Sequence, residues 1–100
     1  MTVLIPVDST SRDECVIASI EENKSWAFVK LDGGKIASIE FVDRREDILE
    51  WIDAVVVIND QEYVWPFMDE GIIALVAPTQ KSIDEIIEAF LFKDLHDFSV

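Results

Sequence analysis

Cysteine occurs once in this chain, at position 15, so no internal disulfide can form and no multi-cysteine zinc or iron–sulfur site can be built. Histidine also occurs once. His96 lies in the tail and reads as a surface residue. No apolar run approaches the roughly 20 residues of a membrane helix; the longest, 54–58 and 72–77, are strand-sized. The apolar stretch at the start is too short for a signal peptide, and Asp8 follows at once, so the expected setting is the cytoplasm. No internal repeat, low-complexity tract or linker interrupts the chain, and residues 1–100 read as a single domain.

Positive charge is the other scarcity. Eight Lys and Arg stand against 21 Asp and Glu, a formal net charge of −13. Nucleic-acid binding rests on Lys and Arg neutralising phosphates. No basic cluster here exceeds the pair Arg44 and Arg45, so nucleic acid and acidic partners are excluded as expected ligands. Cations and basic protein surfaces remain compatible with the charge.

Apolar residues are plentiful. They make up 50% of 100 residues, enough to bury a core without staples. Residues 2–7 form a continuous apolar run, the signature of a strand buried on both faces, with Pro6 tolerable near its end. Residues 8–11 carry loop chemistry. Residues 15–20 read as a short strand because Val16, Ile17 and Ile20 are β-branched. Ser11 with Glu14 also matches a capping box, so a helical turn competes there. Strands at 25–31 and 36–42 flank a glycine turn at 32–35, predicting an antiparallel hairpin.

Three helix starts follow. Asp43 with Glu46, Asn59 with Glu62, and Ser82 with Glu85 each pair a capping residue with a Glu three later. The first helix is expected over 44–52, burying Ile48, Leu49, Trp51 and Ile52. The second starts at Asn59 and is short or kinked because Pro66 lies past its first turn. Gly71 is expected just past its end. Ile83, Ile86, Ile87, Phe90 and Leu91 share one face of the third. Strands at 53–58 and 72–77 alternate with these helices, and residues 93–100 are expected to fray. The sum is an α/β fold: one five-stranded mixed sheet of order 3-2-1-4-5 with about three helices.

The order and spacing resemble the dinitrogenase iron–molybdenum cofactor biosynthesis family, the NifX-like carriers with a ribonuclease H-like fold. The matching stretches are VLIPVD (3–8), WAFVKLDG (26–33), IASIEF (36–41), IDAVVVI (52–58), GIIALV (71–76) and the helix over 82–91. The resemblance implies a small non-enzymatic carrier or accessory protein. Its cargo would be an iron–sulfur or iron–molybdenum cluster. On this resemblance the chain would be a divergent member, lacking the usual His and Gly site residues. Ser19 stands where the family's histidine would be, DRRE (43–46) replaces a Gly- and His-rich stretch, and Asn59-Asp60 replaces Gly-Gly.

Open sheets bind ligands outside the carboxyl ends of their parallel strands. That rule selects Asp8, Asn59 and Asp60, and the family's site adds Cys15 and Ser19. Asp8 and Asp60 could hold a hard divalent cation and support metal-dependent catalysis. Equally, Asp8 can shape a turn while Asn59 and Asp60 start a helix. Cys15 is either a soft ligand or a small buried side chain. Trp51, Trp65 and Phe67 either pack the core or mark a protein interface, for a partner or a second copy of the chain.

Overall fold

The computed structural model describes residues 1–98. β1 (Thr2–Val7) lies at the centre of one mixed sheet. β2 (Ser25–Asp32) and β3 (Lys35–Val42) form an antiparallel hairpin on one side of it. β4 (Ala54–Val57) and β5 (Ile73–Val76) run parallel to β1 on the other side. A sixth strand, β6 (His96–Asp97), closes the edge antiparallel to β5, so the order is β3-β2-β1-β4-β5-β6. The sheet therefore has one strand more than the five expected. The tail adds it: Val76 pairs with His96, and Phe98 donates its N–H to Ala74 O at 3.1 Å. Fraying was expected over 93–100, of which 99 and 100 lie outside the described residues.

Strand alternation sends side chains to two layers. Val3, Ile5, Val7, Ala27, Val29 and Val56 pack with Ile83, Ile86 and Ile87 of α2 (Ile83–Leu91). Leu4, Trp26, Phe28, Val55, Val57, Ala74 and Val76 face the other way, onto Val64 and Phe67 beside α1 (Trp65–Asp69). The hairpin closes through Gly33 and Gly34, both at positive φ, between the paired Asp32 and Lys35. A two-residue loop needs this backbone to match the strand twist. A register shift opposite Lys30 and Leu31 leaves Ala37 unpaired. That bulge keeps Ile36 on the α2 face with Ile39 and Phe41.

Two α-helices form among the described residues, where about three were expected. The stretch over 44–52 makes only a 3₁₀ turn at Arg45–Asp47, without a side-chain cap. Ile52 alone is buried there, while Leu49 is 96% exposed and Trp51 59% exposed. A helix needs an apolar stripe to bury, and this segment has too few side chains facing the core. Its far end is held instead by Thr2, which donates its N–H to Asp53 Oδ2 at 2.8 Å and its hydroxyl to Trp51 O at 2.7 Å. The second helix starts at Trp65 rather than Asn59, whose side chain instead accepts from Gln61 N–H at 2.9 Å in a local turn. The late start places Pro66 in the first helical turn, where its missing N–H is harmless. Gly71, at φ +83, follows the helix as expected.

The Ser82 capping box forms in full. Ser82 Oγ accepts from Glu85 N–H and Glu85 Oε1 accepts from Ser82 N–H, each at 3.1 Å. Residues 15–20 form no strand. Cys15 donates to Ser11 O at 2.8 Å, a single helical turn, and only Ile17 bridges to Val7. No helix among the described residues is long and apolar enough to cross a membrane.

Candidate functional site

β1 and β4 are adjacent and parallel, yet the chain leaves β1 toward the hairpin and β4 toward β5. This is the point where an open sheet leaves a crevice beyond its strand ends. Two clefts open past the carboxyl end of β4, the second reaching across β5 to β6. One, of ≈ 230 Å³, is lined by Ser19, Ile20, Glu21, Asn59, Gln61, Glu62 and Tyr63. The other, of ≈ 340 Å³, is lined by Ile58, Asn59, Asp60, Val76, Pro78, His96 and Asp97. Asn59 belongs to both.

The fold thus brings Ser19 to Asn59 and sets Asp60 next to it. It does not bring Asp8 or Cys15 to either cleft. Asp8 is spent on its own loop. Its Oδ1 accepts from Val16 N–H at 2.9 Å, and its N–H donates to Val16 O at 3.1 Å. Cys15 is 1% exposed and packs into the α2-side core with Val7, Ile17 and Ile83. Burial pushes its thiol pKa up, and the nearby Asp8 carboxylate adds to the effect.

Glu21, Gln61, Glu62, Tyr63, His96 and Asp97 are polar or aromatic cleft residues that the sequence reading did not select. Glu62 reads in sequence as a helix-capping partner. In the fold its carboxylate accepts from Ile20 N–H at 3.3 and 3.4 Å and ties the 59–63 loop to the 19–21 loop. Burial raises its pKa, the Ile20 hydrogen bond opposes that rise, and Glu21 reinforces it. Its spacing from Asn59 was the available signal. Tyr63 stands beside it, exposed. His96 and Asp97 reach the second cleft only through the β5–β6 pairing, which no local pattern announces.

The chemistry of the crevice is that of hydrogen-bond acceptors around amides. Glu21, Glu62, Asp60 and Asp97 supply negative charge, Asn59 and Gln61 supply amide groups, and Tyr63 adds an aromatic ring to the lining. No group of three or more His, Cys, Asp or Glu arranged to hold a metal ion occurs among the described residues. An anionic iron–sulfur or iron–molybdenum cluster does not fit this donor set, because the one thiol lies in the core and the rim is acidic.

No protein-family model matches the sequence, and no curated protein matches it. Solved structures do. PH0822 superposes with a TM-score of 0.73 at 16% identity, over 97% of this chain and 96% of that one. The crystal structure of a protein of Methanocaldococcus jannaschii described as a "putative dinitrogenase (mj0327)" gives 0.76 at 20% identity, over 99% of this chain and 95% of that one. The NMR structure of a protein under the same description, from Methanococcus jannaschii, gives 0.76 at 20% identity, over 100% and 94%. At such identities the likeness is one of fold, spanning nearly the whole length of each chain.

Proposed function

We propose that this chain is a binding module of the NifX-like kind, an accessory protein on a ribonuclease H-like fold. Its cluster site is degenerate, and its crevice takes a small neutral or cationic ligand instead. The observation that carries the reading is the pair of clefts meeting at Asn59, past the carboxyl end of β4, rimmed by acids and amides. The likeness to a protein described as a putative dinitrogenase supports the accessory setting. Ser19, Asn59 and Asp60 serve as ligand-binding residues in this reading, joined by Gln61 and Glu62. Asp8 and Cys15 serve the fold.

The test is an amide-resolved NMR titration of the protein with three small probes matched in size: a quaternary ammonium, a neutral amide and a carboxylate. The ammonium or the amide should shift the resonances of residues 19–21 and 59–63, and Asn59→Ala should weaken that binding. Shifts with the carboxylate alone would sink the charge argument. Stoichiometric iron or molybdenum in protein purified without oxygen would sink the degenerate-site reading.

A further inference from the structure

A groove of ≈ 370 Å³ opens away from the crevice, between the 45–52 segment and residues 70–72, and shares no lining residue with either crevice cleft. Its apolar lining is Ile48, Trp51, Ile52 and Ile72; its charged lining is Glu46, Glu50 and Glu70 with Arg45. The segment that forms it makes no α-helix and leaves Leu49 and Trp51 largely in water. The groove is nonetheless held in shape. Arg45 pairs with Glu70 at 2.5 Å and stacks on the Phe67 ring, 4.3 Å from its centroid. Lys30 pairs with Glu50 at 2.7 Å. The Trp51 ring lies over Gly71, with Cη2 3.8 Å from where a Cβ would stand. Large exposed apolar groups beside a preformed groove mark a docking surface.

Charge selects the occupant. Glu46 forms no ion pair among the described residues, and the chain as a whole carries −13. A second copy would bring acid against acid, whereas a basic segment would be steered in and held. We propose that this groove docks a basic, amphipathic segment of a partner protein, its apolar side chains against Ile48 and Trp51 and the adjacent exposed Leu49, and its Lys or Arg facing Glu46, the groove acid that neither Lys30 nor Arg45 pairs. The mode is that of an amphipathic helix laid on an apolar groove.

The probe is a short synthetic peptide of lysine and leucine at amphipathic helical spacing, with a scrambled peptide of the same composition beside it. Binding is read by calorimetry and by tryptophan emission. Leu49→Ser, Trp51→Ser and Glu46→Gln alter exposed side chains, so the fold should survive them. Each should weaken binding about tenfold, the scale of losing one well-placed interface contact. Phe92→Ser and Glu88→Gln, at exposed sites in and beside α2, should leave it unchanged. Equal affinity for the scrambled peptide, or equal weakening by the α2-side variants, would overturn the proposal. So would a wild-type dimer in sedimentation that Leu49→Ser dissolves, since a second copy would then own the surface.

Discussion

Phe28 is the side chain on which the α1-side core depends most. It is wholly buried on β2, the largest of the fully buried side chains, and packs in the cluster that includes Leu4, Trp26, Val55 and Phe67. Its backbone is clamped in the interior of the sheet, opposite Leu4 on one side and Glu40 on the other. Neither neighbour can move in to fill the space, so Phe28→Ala should leave a cavity. The loss should be about 3–5 kcal/mol, the usual range for Phe→Ala in a core. Stability for a domain of this size is about 5–15 kcal/mol, so the variant stands near the edge of folding. At about 4–8 °C per kcal/mol for a 60–100-residue domain, the melting temperature should fall by roughly 12 °C or more. The control is Phe92→Ala. Phe92 is 71% exposed, and the change should stay within about 0.5 kcal/mol. Urea unfolding followed by circular dichroism gives both numbers. Equal midpoints for the two variants, with unchanged slopes, would refute the assignment of Phe28 to the core.

Ser82→Ala removes the acceptor for Glu85 N–H at the start of α2 and should cost about 1 kcal/mol in urea unfolding. A wild-type midpoint would mean that packing alone holds that helix end. Glu62→Gln keeps an oxygen for Ile20 N–H but removes the charge. Burial raises the Glu62 pKa above its ordinary 4.5, so the folded state holds the proton longer than the unfolded state. Wild-type stability should therefore fall as pH rises from 4.5 through the raised value. The Gln variant should melt higher at pH 7, with the gap closing below pH 4.5; a constant gap across that range would contradict the burial argument. The Cys15 thiol is buried with its pKa raised, so iodoacetamide should label it slowly in the folded protein and readily in urea, as read by mass spectrometry. Equal rates in the two states would place the thiol at the surface.

The local parts of this fold are legible in the residues because their physics is local. The apolar runs mark β1, β4 and β5, the glycine pair marks the hairpin, and the Ser82 box with its isoleucine stripe marks α2. Each rests on contacts within a few residues. The same capping pattern at Asp43 and Asn59 starts no helix, because a cap does not suffice where the following side chains have no core face to bury. Leu49 and Trp51 show this directly: they have the residue types of a buried stripe and stand in solvent. Asn59 was legible in the candidate site from strand-end reasoning, as was Asp60, and Ser19 from the family resemblance. Glu62 was in view only as a helix cap.

The sequence by itself determined the strand runs, the hairpin turn, the α2 helix and the acidic character of any surface, since composition and period settle those without distant contacts; the expected order 3-2-1-4-5 came from topology rules for strands that alternate with helices. Only the tertiary structure decided that Cys15 belongs to the core. It alone added the tail as β6, bringing His96 to Asn59 and Asp60, and put Glu62 under Ile20. Those outcomes join residues about 20 to 40 positions apart, or turn on which face of the sheet has room, and no local pattern encodes either.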